Sequence, residues 1–508
     1  MSEDSQILIP PSFVALYVPA GRIKPTLPRD EMAQRYELCE DMAQMLTDTA
    51  STMLLTLGMA APWALNLAAI GEAAAADARG GYKALVCVFL NGGNDNGRTL
   101  LPVDAAGHAF LASLRGGTTD LGGLVAPRAS LAATTLTPRV PLTGPGVNGT
   151  QLAMAAELLP LKPLFDTGKL GWLLNVGTLM EPTTKAQYLA RSVPLPPKLF
   201  SHNDQQSFWQ SSGVEGSTKG WGGAIGDLFL SSNATSTFTC INASGNAVFL
   251  MGDQAVQYQI SNSGAVPVNG VVSNLFGSAQ CSKALNSLIT APRTHWMEAE
   301  LNRVASRSIT AQATVKAALG NANALPFTAT FDTTQSLGRQ LQMVARLIAG
   351  RSTLGAQRQI FFVSIGGFDN HDFLLTQHPG LLGQLANGLS AFQSAMTELG
   401  LADQVTTFTA SDFGRTLTSN GDGSDHGWGS HHLIMGGAVR GQRFWGKMPL
   451  LANNGPNDVG QGRLIPTSSV DQLAATLAKW MGVSATEIKT LFPNISRYDQ
   501  SDLGFFSL

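Results

Sequence analysis

Charge is scarce in this chain of 508 residues. Only 13 % of them are Asp, Glu, Lys or Arg, the net charge is −2, and no run of Lys or Arg occurs anywhere. A nucleic-acid partner is therefore not expected, because phosphate backbones are held by clustered cations. Cysteine is scarce too: Cys39, Cys87, Cys240 and Cys281 lie far apart with no CxxC spacing. That excludes a thiolate zinc cluster and leaves at most one disulfide, between Cys240 and Cys281. Uninterrupted apolar stretches of about 20 residues are missing as well, so no stable membrane span is expected. The longest approach to one, residues 53–70, contains Pro62 and is followed by AAADARG, which has the look of a cleavage zone. It begins some fifty residues in and follows acidic residues, unlike the basic start of an export signal. The reading favours a retained, packed helix and a cytoplasmic chain.

What is present is apolar residue, at 44 % of the chain, enough for a large core. Residues 1–50 read as an accessory segment, 51–80 as an apolar helix, and 81–508 as the main domain. Apolar runs at 83–90, 171–176, 359–365 and 404–410 have the composition of strands buried on both faces. Helical patterns separate them, near 151–167, 332–349 and 382–399. In the last, Leu382, Leu385, Leu389, Phe392, Met396 and Leu399 make one apolar stripe. Ser468 and Asp471 can start a helix that Gly482 stops. Between about 231 and 330 the composition shifts to Ser, Asn, Thr and Ala, with strand-like AVFLM at 247–251, indicating a cap or insertion. Strands alternating with helices imply an α/β fold with a doubly wound, mostly parallel sheet.

Ligands of such sheets bind beyond the carboxyl ends of the strands, and the polar residues fall there. The first strand delivers Asn94 and Asp95, a later one Asp369, His371 and Asp372, and the next Ser411 and Asp412. SDHGWGSHH then carries Asp425, His426, His431 and His432. Five of the eight histidines lie between 371 and 432, and residues 366–432 hold six Asp and one Glu against one basic residue, Arg415. So dense a negative cluster calls for a cation. Imidazole with carboxylate suits Zn²⁺ or Mn²⁺, while Ca²⁺ prefers oxygen alone. Each member also has a plainer role. Asp95 and Asp369 can cap helices, Asp412 can pair with Arg415 three residues on, and His371 can bond a loop backbone. His431 and His432 read as the start of a strand with one of them facing the core. His108, His295 and His378 read as surface or loop residues. In FSHNDQQSFWQ (200–210), Ser201 is either a helix cap or a nucleophile at a helix N-terminus, where orphan N–H groups favour an oxyanion.

Several stretches together resemble the bacterial DUF1501 family, a branch of the alkaline phosphatase-like superfamily. They are APWALNLAAIGEAAA, KALVCVFLNGGND, LFSHNDQQSFWQ, GWGGAIGDL, IGGFDNHD, ASDFGRTLTSNG and SDHGWGSHHLIMGGAVRGQRFWG. The resemblance implies an alkaline phosphatase-like fold and one or two divalent ions (Zn, Mn or Ca) held by Asp95, Asp369, His371, Asp412 and His426, with Ser201 as nucleophile. It also implies a small-molecule or polymer ester as substrate, and export for many members. Two departures stand out: Phe413 occupies the place of a histidine ligand in many relatives of the superfamily, and no Arg-Arg export motif is present. The first opens a second reading, a non-catalytic binding or assembly protein that keeps the fold.

Overall fold

A computed structural model of the chain describes residues 81–142, 151–321 and 324–507. The accessory segment, the apolar run at 53–70 and Cys39 lie outside the described residues.

Thirteen strands can be followed among the described residues. β1 (Lys83–Leu90) is central, and β2 (Leu100–Pro102) pairs with β3 (Leu152–Met154) outside the main sheet. β4 (Leu170–Gly177), β5 (Cys240–Asn242), β6 (Tyr258–Gln259), β7 (Arg358–Ile365) and β8 (Val405–Ser411) follow. β9 (Arg415–Ser419) and β10 (Ser424–His426) form a separate ladder. β11 (Ser430–Met435), β12 (Phe444–Trp445) and β13 (Ser468–Ser469) complete the set. The main sheet runs β12-β4-β11-β8-β1-β7-β5-β6, with β13 also on β4. Every pairing in it is parallel except those of β11, which is antiparallel to β4 and β8.

The main helices are α1 (His202–Ser211), α2 (Trp221–Leu228), α3 (Trp296–Leu319), α4 (Ser336–Ala349), α5 (Leu374–Glu398) and α6 (Val470–Met481). Because side chains alternate along a strand, β1 feeds two cores. Ala84, Val86, Val88 and Leu90 join a cluster with α4 and α5. Leu85, Cys87 and Phe89 join another with α1, α2 and α6. Helices thus cover both faces, and the strands have no polar side to show. Among the described residues no helix is long and apolar enough to cross a membrane.

Four expectations change. Residues 151–167 form β3, a 3₁₀ turn and a five-residue helix, with Pro160 and Pro163 preventing a longer one. Residues 248–250 of AVFLM form a 3₁₀ turn. Residues 231–330 supply β5 and β6 to the main sheet as well as α3. Cys240 and Cys281 are both free thiols, so the disulfide is not formed. The cap of α6 is Ser469, in a reciprocal capping box with Gln472, and Gly482 closes the helix at φ +112.

Candidate metal centre

Because β1, β7 and β8 are parallel neighbours, their carboxyl ends empty onto one edge. β1 leaves through Asn91-Gly92-Gly93, which the next strands crowd. A Cβ on Gly92 would lie 2.4 Å from the backbone nitrogen of Asp369, and one on Gly93 would lie 2.5 Å from the Phe413 ring. Both residues also hold positive φ, +112 and +85. Only glycine meets both demands.

Three side chains from distant parts of the chain converge here. His202 comes from the first turn of α1, Asp369 from the loop after β7, and His426 from β10, directly opposite Arg415 of β9. Their ligand atoms lie within 4.8 Å of one another. The Nε2 atoms of His202 and His426 stand 3.4 and 3.2 Å from the two oxygens of Asp369. His371 joins them at the rim, its Nε2 3.1 Å from Asp369 and 2.9 Å from the Nε2 of His426.

The other ring nitrogen of each histidine is already engaged. His202 Nδ1 lies 2.7 Å from Asp412 Oδ2, His371 Nδ1 3.0 Å from Asp425 Oδ1, and His426 Nδ1 2.7 Å from the carbonyl of Phe200. All three partners are acceptors, so each Nδ1 carries a proton and, in the neutral ring, each Nε2 turns a lone pair inward. Lone pairs converging on a carboxylate, with His202 Nε2 buried and without a hydrogen-bond partner, could hold a cation. Imidazole nitrogen with carboxylate oxygen fits a divalent transition ion, and carboxylate or carbonyl support behind each ring is what such ligands require.

Electrostatics point the same way. Burial raises the Asp369 carboxyl, but the Arg415 guanidinium bonded to it wins and holds it below the usual range. Burial keeps His426 easier to deprotonate than usual. His202 is the exception: hydrogen bonding to Asp412 raises its pKa.

Around the centre, Arg415 is buried and ties the loops together. It donates to the carbonyls of Gly92, Gly93, Phe368 and Ser424 as well as to Asp369. The plainer alternative, a pair with Asp412, is not the one made: Arg415 pairs with Asp369. Phe413 packs its ring 4.9 Å from that of His202 and 4.6 Å from that of His426, a carbon wall on that side.

Of the five residues expected as ligands, Asp369, His371 and His426 come together. Asp412 stands behind His202 and accepts also from Gln206 Nε2 at 2.8 Å and the Gly92 amide at 3.2 Å. Asp95 is buried apart from them. Its carboxylate is taken by Arg115, by the Ser424 hydroxyl at 2.7 Å and by the Arg98 amide at 3.1 Å. Ser201 is the N-cap of α1, but its hydroxyl donates to Asp204 Oδ2 at 2.7 Å and makes no cap hydrogen bond. His202 is the member the sequence reading passed over. The strand histidines His431 and His432 are both buried, because β11 lies inside the sheet, and burial pulls them to about 4 and about 3. His378 is likewise fully buried, on α5, with Nε2 3.0 Å from Asn94 Oδ1. His108 is buried on its own helix, bonded to the Ala126 carbonyl.

Residues 82–492 match the DUF1501 family, described as a protein of unknown function. The chain belongs to that family. No curated protein matches it in sequence. Among solved structures it is similar to the PsFucS1 sulfatase from Pseudoalteromonas sp., at 9 % identity over 86 % of this chain and 76 % of that one, with a TM-score of 0.34. It is similar to Ps i-CgsB in complex with k-i-k-neocarrahexaose at 9 % identity, 83 % and 78 % coverage, and a TM-score of 0.33. The lipoteichoic acid synthase LtaP from Listeria monocytogenes follows at 8 % identity, 79 % and 72 % coverage, and a TM-score of 0.30.

Proposed function

We propose that this DUF1501 protein is a metal-dependent hydrolase of phosphate or sulfate esters, with one divalent ion held by His202, Asp369 and His426 and completed by His371. The observation that carries the reading is the inward turn of three Nε2 lone pairs onto one carboxylate that is 46 % exposed, open to a substrate. Resemblance of the strand-end motifs to alkaline phosphatase-like enzymes supports the same chemistry. When bound, the ion would polarise the ester oxygen and stabilise the charge that develops on it.

The chain's own residues take the remaining roles. Ser201 adjoins His202 at the N-terminus of α1, where unpaired N–H groups favour an anionic acceptor. Its proton is directed to Asp204 Oδ2, leaving an oxygen lone pair for attack. Asp412 acts through His202 as a positioning residue. The Phe413 ring shields the inner face of both ligand imidazoles from water and leaves no nitrogen for a second ion.

Metal analysis of the purified full chain beside a panel of phosphate and sulfate monoesters tests this. One bound ion per chain is expected, with turnover that His426→Ala removes together with the metal and Ser201→Ala removes while sparing it. Full activity in Ser201→Ala would sink the nucleophile and transfer attack to water. Phe413 favours a second reading, a binding protein with a structural ion, and that reading requires bound metal with no turnover of any ester.

A further inference from the structure

His426 and Asp425 stand side by side on β10 with separate duties. His426 belongs to the metal cluster, and Asp425 lies 3.0 Å from the Nδ1 that it orients on His371. Both duties depend on where β10 is held, and the β9-β10 ladder is too irregular to settle that alone. Ser424 pairs with Ser419 and His426 with Arg415, so three residues of β10 span five of β9, and the register shifts between the two pairs. Asp425 falls at that irregularity, where its amide donates to the Thr416 hydroxyl at 3.1 Å. Irregular pairing of this kind re-aims side chains beside a site. Other contacts then have to fix where they go.

A buried ion pair makes such contacts with both strands. Arg115 caps the C-terminus of the helix Ala105–Leu114, and Asp95 is the N-cap of the short helix Asn96–Thr99. The Arg115 guanidinium binds Asp95 through Nη2, and its Nη1 donates to the Thr416 carbonyl of β9 at 3.4 Å. Asp95 Oδ2 in turn accepts the Ser424 hydroxyl of β10 at 2.7 Å. Burial raises the Asp95 carboxyl, but the charge of Arg115 prevails and keeps it ionised. An ionised carboxylate only accepts, so the Ser424 hydroxyl is committed to it as a donor. The backbone of Ser424 is a junction as well: its amide donates to the Asn370 carbonyl at 3.1 Å, and its carbonyl accepts from Arg415 at 2.9 Å.

We infer that Asp95 and Arg115 are positioning residues of the metal centre. They act through the Ser424 hydroxyl and the Thr416 carbonyl to set His426 as a ligand and Asp425 as the partner of His371. Asp95 thus serves the centre without being one of its ligands. The inference rests on the reading of His202, Asp369 and His426 as a metal centre. A buried ion pair contributes little net stability, because the cost of desolvating two charges offsets their attraction. What this pair supplies is the place of β10, and with it the aim of two imidazoles. A pair with a merely structural role would change stability when disturbed and leave those imidazoles as they are.

Three variants of the full chain test this: Ser424→Ala, which keeps the ion pair, Asp95→Asn, which keeps its shape, and the two combined. Imidazole nitrogen NMR of the metal-free proteins, at about pH 8 where unperturbed rings are neutral, reads the histidine tautomers. Chelator competition reads the Kd for zinc. Wild type is expected to carry the proton on Nδ1 of both His371 and His426. Ser424→Ala should mix the tautomers of these two rings and weaken zinc binding about tenfold. Asp95→Asn should weaken it at least as much, and the combined variant no further, because both act along one path. Should Asp95→Asn fail to fold, Ser424→Ala decides alone. Unchanged tautomers in Ser424→Ala, a zinc Kd within twofold of a zinc-binding wild type, or additive losses in the combined variant each overturn the inference. A wild type that binds no zinc removes the metal reading, while mixed tautomers in Ser424→Ala still uphold the positioning of the two rings.

Discussion

A histidine coordinates an ion through one nitrogen, and the proton on the other decides which. At this centre the decision is made by Asp412, Asp425 and the Phe200 carbonyl. Asp412→Asn should therefore weaken zinc binding about 10–100-fold, measured by chelator competition, although Asp412 is not itself a proposed ligand. An affinity within twofold of wild type would show that Asp412 does not orient His202. Such partnerships are the least legible part of the sequence. His202 sits in an ordinary helix start, and the acceptor that turns its ring is 210 residues away. Asp95 looked like Asp369 at a strand end, and only the fold reveals that Arg115 faces one and the imidazoles face the other. A pair of Arg415 with Asp412 three residues before it was one plainer alternative to a ligand role for Asp412. Arg415 opens β9 while Asp412 lies in the bend before it, so no helix spaces the two, and Arg415 reaches Asp369.

At the scale of elements the sequence was far more informative. Unbroken apolar runs marked β1, β4, β7 and β8 to within a residue or two, because strands covered on both faces have no polar side. The stripe at 382–399 became α5, whose Leu382, Leu385, Leu389, Phe392 and Met396 are all buried. Leu389→Ala should cost about 2–5 kcal/mol of stability, read as a lowered denaturant midpoint with an unchanged slope. A change under 1 kcal/mol would mean the α5 face is not packed as described. Short elements were misread for a local reason: in residues 151–167 apolar spacing suggested a helix, but two prolines remove the amides that would continue it.

Acid should weaken the whole molecule. Burial depresses His378 and His432 to about 3 and His431 to about 4, from an ordinary 6.5. Over that interval the unfolded chain takes up protons that the folded chain refuses, so their contribution is intact above pH 6.5 and is lost as pH falls toward 4. Each histidine adds up to about 1.4 kcal/mol per pH unit. Asp95 acts in the same direction at lower pH still: burial would raise its pKa, but the charge of Arg115 prevails and lowers it. The Tm measured in metal-free buffer should drop steeply between pH 6.5 and 4.5, and a flat profile would contradict the burial of these rings. Arg415 has a different consequence for the molecule as a whole. By fastening the exits of β1 and β7 to β9 and β10 with its own guanidinium, it assembles the pocket from protein alone. Chelation should then leave far-ultraviolet dichroism unchanged, and reloading should be a simple second-order encounter with no refolding phase. In this protein an ion would be a guest in a furnished room, and its departure would leave the walls standing.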